Sequence, residues 1–453
     1  MQKRWIVLMS IMVIIAVLGL FVEPGSFGFQ MDPAVNTSDV AWMITATIFV
    51  LMMTPGLSFF YGGMVGKKNV ISTMLQSFIA MGMISVLWVF VGFSLSFGDD
   101  LGGLGILGDP TTFFMFKDVD GHVNPALAPT IPLALYALFQ MKFAIITPSL
   151  ITGSFAERVR FSAYLVFMIL FCIVIYCPLA HMTWHPDGLF RQWGVVDFAG
   201  GIVVHASSGV AALAGAIFLG KRHNKKVQPA NIPFVLLGAA LLWLGWFGFN
   251  AGSSLHADAQ AVQAFLNTNT ASATAMMVWI FFDCLRGHKP SAMGAAVGAV
   301  VGLVAITPSA GYVTVGQSIF ISLVITVVCN IAVHWSNKYR VDDALDVFPT
   351  HGLGGIVGTV LTGIFIQEGL IAWNHDGLVI FLYHILAVAL VIAYSFIVSF
   401  GLYWITNKMI PMRVSSKSEQ IGLDISQHDE SYDFAGVGER EIAEYEDAKD
   451  DDK

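Results

Sequence analysis

The stretch that decides the fold runs from Asp197 to Gly220, DFAGGIVVHASSGVAALAGAIFLG, in which a carboxylate precedes an uncharged apolar run holding a single histidine, His205. About twenty such residues cross a hydrocarbon core about 30 Å thick as a helix. A histidine inside that run is costly unless it pairs with another group or lines a path. The arrangement returns once, because Asp343 precedes His351 by eight residues just as Asp197 precedes His205. A second echo places Gly56, Phe60 and Gly63 in register with Gly245, Phe249 and Gly252. Five apolar spans separate those copies, so they cross in opposite directions, the pattern of an inverted repeat whose binding site lies where the halves meet.

Working outward, apolar runs recur near residues 40–65, 69–95, 131–153, 161–181, 199–220 and 232–252. They continue near 271–285, 291–305, 316–336, 350–367 and 377–405. The reading is an all-α polytopic membrane protein with about eleven transmembrane helices, two inverted five-helix repeats plus a final helix. Composition agrees: of 453 residues 56% are hydrophobic and 12% charged, with a mean hydropathy of +0.72, which leaves no room for a soluble catalytic domain. Residues 5–22 form a further apolar stretch behind Lys3 and Arg4. Residues 1–24 therefore suit a signal peptide or an additional N-terminal helix, and no A-x-A cleavage site decides between them.

Lysine and arginine mark every second connection: Lys67 and Lys68, Arg158 and Arg160, Lys221 to Lys226, Arg286 and Lys289, Lys338 and Arg340. Basic loops stay in the cytoplasm. The alternate loops carry Asp99, Asp100, Asp109, Asp118 and Asp120, then Asp258, then Glu368 and Asp376. The first span thus starts outside, and the C-terminus is cytoplasmic in a multi-pass cell-membrane protein. The net charge of −8 belongs to the tail, since residues 414–453 hold 13 acids and 4 bases, leaving 18 acids and 19 bases elsewhere. The four cysteines, Cys172, Cys177, Cys284 and Cys329, fall in apolar spans without CxxC spacing and are expected to be buried and reduced.

Two neutral imidazoles in contact offer one nitrogen as donor and one as acceptor, a chain able to hold ammonia or pass a proton. The bland alternative is a pair of packing histidines, and the symmetric placement of His205 and His351 argues against it. Phe139, Phe143, Trp184, Trp246 and Phe249 supply aromatic faces that, clustered at a mouth, attract a small cation by roughly 0.5–2 kcal/mol, and a hydroxyl such as Ser253 accepts its N–H.

The strings FQMKF at 139, GSFAERVRFSA at 153, HMTW at 181, DFAGGIVVH at 197, GKRHN at 220, GWFGFNAGS at 245, TPSAGYV at 307 and DDALDVFPTHG at 342 occur in that order. Together they closely resemble the ammonium transporter (Amt/Mep/Rh) family, Amt branch, over about residues 35–410. The resemblance implies an ammonium transporter transmembrane domain there, followed by a cytoplasmic acidic tail at 411–453. It implies that Trp184, Ser253 and Phe139 form an outer ammonium site supported by Asp197. It further implies that Phe143 and Phe249 form a phenyl gate, that His205 and His351 form a twin-histidine pore lined by Trp246, and that Asp343 and Asp346 organise an inner vestibule. A homotrimer with one pore per subunit is implied as well. The tail string GLDISQHDESYDF at 422 is similar to the family segment that couples subunits and meets a PII signalling protein, with Asp429 where glycine is usual.

No P-loop suggests coupling to hydrolysis, and no nucleophile elbow accompanies Ser207, Ser208 or Ser253, so the expectation is a transporter without enzymatic activity, cofactor or nucleic-acid partner. TVG at 314–316 continues as QSI rather than the YG of a potassium filter. Lys142, beside Phe143, is the outstanding departure from the family: facing the pore it repels ammonium, and facing another helix it pairs or snorkels. It keeps open an ammonium-binding sensor with little or no transport.

Overall fold

The structure, a computed structural model, describes residues 2–23, 25–27, 32–224, 228–336, 341–366 and 375–432. Lys225, Lys226, Lys338, Arg340, Glu368 and the tail beyond Tyr432 lie outside the described residues. Twelve long helices succeed one another: α1 (Gln2–Gly19), α2 (Thr37–Met64), α3 (Lys67–Phe97), α4 (Leu133–Ile151), α5 (Phe161–Gln192) and α6 (Gly201–Leu219). They continue as α7 (Ile232–Ser254), α8 (Ala259–Leu285), α9 (Ala292–Ile306), α10 (Val315–Ser336), α11 (Phe348–Phe365) and α12 (His375–Met409). A two-stranded antiparallel hairpin, β1 (Val123–Asn124) and β2 (Ala128–Pro132), precedes α4.

Among the described residues, nine helices are long and apolar enough to cross a membrane. The eleven expected spans each fall on one helix, yet two miss that standard. Helix α9 has only 15 residues, about 23 Å of rise. Helix α8 starts twelve residues before the expected Ala271 because its polar first half is paired inside the bundle. Asn250 donates to Thr268 Oγ1 at 2.9 Å, and Asn267 donates to the carbonyls of Ala310 and Val313. Paired amides cost little in an apolar surround, so the helix runs on.

The repeated helices α2 and α7 pack directly against each other. A Cβ on Gly56 would stand 3.0 Å from Leu241 Cβ, and one on Gly245 2.3 Å from Met53 Cγ, so the missing side chains set the closeness of the pair. Outward faces carry Ile44, Ile48, Leu51, Leu382, Ile397 and Trp404, all exposed, as a lipid-facing surface requires. On α1, the described side chains are exposed or half-buried.

The loops that carry Lys67 and Lys68, Arg160 and Arg222 gather on one side, where the tail packs on them. Arg222 bridges Glu157 at 2.8 Å and Asp342 at 3.0 Å, while the buried Arg158 donates to the Asp342 carbonyl at 2.6 Å. Burial raises the Asp342 carboxyl, but the Arg222 hydrogen bonds and charge prevail and hold it below its ordinary value. Helices α13 (Ser416–Ile421) and α14 (Leu423–His428) lie across this surface. Asp424 there accepts N–H bonds from Ile71 and Ser72 at 3.1 and 2.8 Å, capping open donors near the start of α3. One sequence expectation is corrected: Cys172, Cys177 and Cys329 are buried, but Cys284 is exposed, because it sits in the last turn of α8 where the helix leaves the bundle.

Candidate functional site

Both repeated histidines sit on π-helical turns, Gly201–Ala206 for His205 and Phe348–Gly352 for His351. Such a turn widens the backbone by one residue and is frequent at functional sites. Each turn is started by the aspartate found at the equal spacing. Asp197 accepts four backbone N–H bonds, from Gly200, Gly201, Ile202 and Val203, at 2.5 to 3.2 Å. Asp343 Oδ2 accepts from Phe348 N at 2.7 Å. A carboxylate at a helix start satisfies orphan donors and favours the positive end of the helix dipole.

The caps bring the histidines together. His351 Nδ1 and His205 Nδ1 stand 3.3 Å apart, and the rings are nearly parallel. Both residues are buried, at 2% and 1% exposure, so water does not solvate the contact. Two facing nitrogens form a hydrogen bond only if one carries the proton and the other a lone pair. His205 Nε2 is buried with no partner among the described residues, an acceptor or donor reserved for something small. Trp246 stacks on His205 at 5.3 Å and ties its own Nε1 to Thr307 Oγ1 at 2.9 Å, which holds the indole against the imidazole.

Next to His205, Phe143 and Phe249 stack at 4.2 Å. Trp184 meets Phe143 edge-on at 5.7 Å and donates to the Asp197 carbonyl at 2.9 Å. Beyond these rings opens an outer cavity of about 580 Å³, lined by Phe143, Trp184, Asp197 and Ser253 among others. Ser253 donates its hydroxyl hydrogen to the Phe249 carbonyl at 2.8 Å, which leaves its oxygen lone pairs to accept. Phe139 does not line the cavity. It is buried 5.0 Å from Phe143 and buttresses that ring.

On the other side of the histidines an inner cavity of about 290 Å³ is lined by His351, Asp346, Thr350, Asp283 and His334. Asp343 is not in that lining and acts as the helix cap, whereas Asp346 is. Sequence reasoning missed Tyr136, Gln140 and His256 at the outer cavity and Asp283 and His334 at the inner one. None of these repeats between the halves, so the symmetry that exposed the twin histidines gave no signal for them. Lys142 lines neither cavity. It is buried on α4, one turn from the exposed Leu138, and its Nζ lies 3.7 Å from Met141 Sδ.

The sequence model of the Ammonium Transporter Family matches residues 41–432. An ammonium transporter of Bacillus subtilis is 42% identical over 402 residues, 86% of this chain and 97% of that one. A putative ammonium transporter of Methanothermobacter thermautotrophicus is 41% identical over 404 residues, covering 87% and 98%. Among solved structures, Mep2 of Saccharomyces cerevisiae superposes with a TM-score of 0.79 at 31% identity, covering 87% of this chain and 93% of that one. A sensor Amt protein superposes at 0.80 with 29% identity, covering 86% and 98%.

Proposed function

Since the chain belongs to the ammonium transporter family, we propose that it carries ammonium across the cell membrane by stripping a proton at the outer gate and passing ammonia along His205 and His351. The observation that carries this reading is the buried 3.3 Å contact between the two imidazoles beneath a stacked phenyl pair. An ammonium ion entering so apolar a passage loses its hydration at a cost of several kcal/mol. Neutral ammonia escapes most of that cost.

In the outer cavity, the Trp184 and Phe143 faces attract the cation, and the free lone pairs of Ser253 accept one of its N–H bonds. Asp197 supports the site through structure, since its carboxylate is committed to four backbone donors and its carbonyl positions Trp184. At the gate the N–H bond breaks, the electron pair stays on nitrogen as ammonia, and the proton goes to the lone pair of His205 Nε2, which has no other partner among the described residues. The neutral molecule then meets His205 Nε2. A proton handed along the imidazole pair reverses both tautomers, so a separately moving proton uses the same two residues. Lys142, whose charge would repel a cation in the vestibule, forms no part of its lining.

The assembly we infer is a homotrimer with one pore per subunit and a cytoplasmic tail open to a PII signalling protein. Residues 411–432 pack on the base-rich side, which supports that sidedness. The eleven helices from α2 to α12 then all cross the membrane. Uptake of ammonium by cells that lack their own ammonium transport, with and without the chain, tests the function. The reading predicts saturable uptake that potassium does not compete away; ammonium binding without uptake makes the protein a sensor instead.

A further inference from the structure

Resting on the transport reading, the structure assigns to His334 the role of proton-exchange group at the inner mouth: we propose that its imidazolium returns a proton to ammonia leaving His351. His334 Nδ1 lies 2.8 Å from the Asn330 carbonyl one helical turn back. A carbonyl only accepts, so Nδ1 holds a hydrogen and the neutral ring keeps its lone pair on Nε2. His384 has the same lock, Nδ1 to the Ile380 carbonyl at 2.8 Å, but there Nε2 accepts the Val196 N–H at 3.0 Å. For His334, no donor reaches Nε2 among the described residues, and the ring lines the same inner cavity as His351.

Asp283 and Asp346 line the cavity and bring two carboxylates to it. Asp283 also accepts from the Asn330 amide at 2.9 Å, and Asn330 in turn accepts from Arg286 at 3.3 Å. One asparagine thereby ties the histidine, a carboxylate and a guanidinium into a fixed frame. The His288 ring stands 5.5 Å from that of His334, and His334 itself is only half-buried, so bulk water can reload it. The step balances simply: the Nε2–H bond breaks, ammonia takes the proton on its lone pair, ammonium departs, and neutral His334 regains a proton from cytoplasmic water or from the pore histidines.

Right-side-out membrane vesicles bearing the full chain provide the test, with initial ammonium uptake measured at interior pH from 6 to 8 and exterior pH fixed. Wild type is expected to be faster at the acidic end by on the order of threefold. In His334→Gln that dependence disappears, and imidazole loaded inside the vesicles restores it, which a packing role for the ring would not allow. An interior-pH profile of His334→Gln matching wild type overturns the assignment, as does a flat profile that imidazole leaves flat. If the glutamine variant fails to fold, His334→Asn repeats the comparison. His205→Ala separates the two levels, because uptake surviving in it refutes the pore reading whatever His334 does.

Discussion

The two aspartate–histidine turns use one device with unequal protection. At the first, Asp197 spends both carboxylate oxygens on four N–H donors, and His205 lies beside the stacked Phe143 and Phe249 rings. At the second, Asp343 caps through Oδ2, its Oδ1 meets no donor among the described residues, and His351 borders an open cavity. In the proposed mechanism that difference puts the barrier and the rigidity on the outer side, where the proton is removed, and leaves the inner side for exit and proton exchange.

The comparison breaks most readily at the caps. Asp197→Ala strands four buried donors and is expected to cost on the order of 3–5 kcal/mol, against about 1–3 for Asp343→Ala; thermal unfolding of the two variants in detergent decides it, and equal losses remove the asymmetry. A smaller effect sharpens the outer side. Ser253→Ala removes one acceptor and is expected to raise the KM for ammonium about three- to tenfold with little change in maximal rate, a loss of about 1 kcal/mol. The inner counterpart Thr350→Ala lies on the other cavity, past the histidines from the proposed capture site, and should leave KM unchanged in uptake assays.

At the cytoplasmic face, Asp424→Ala deprives Ile71 and Ser72 of their acceptor and should release the tail at a cost of about 1–2 kcal/mol, read as faster tryptic cleavage at Lys417. The smallest change is Asp429→Gly. Asp429 ends α14 in a left-handed conformation with φ 57°, which glycine adopts freely and aspartate at some cost. The substitution should slow the same cleavage by stabilising the docked tail by up to about 1 kcal/mol; faster cleavage would show that the carboxylate itself holds the tail.

Much of this was legible in the chain because symmetry repeats what matters twice. The eight-residue spacing drew attention to both aspartates and both histidines, though not to the capping that the aspartates perform, and the glycine register pointed to an inverted repeat. Hydropathy could not place the start of α8, since it scores Asn267 and Thr268 as polar without knowing that Ala310, Val313 and Asn250 satisfy them. Nor could it find His334, whose chemistry depends on which nitrogen a backbone carbonyl claims. Phe139 illustrates a third limit: helix position indicated the right neighbourhood, but only packing against Phe143 and Gly252 keeps it out of the cavity.

The central claim is that charge enters at the outer site and that the imidazole pair carries ammonia and its proton onward. An ammonium jump on a solid-supported membrane bearing proteoliposomes, recorded for wild type and His205→Ala beside a potassium jump, addresses it directly. Wild type is expected to give a saturable ammonium-specific current, which the variant loses while still binding ammonium. An undiminished current in His205→Ala would contradict it.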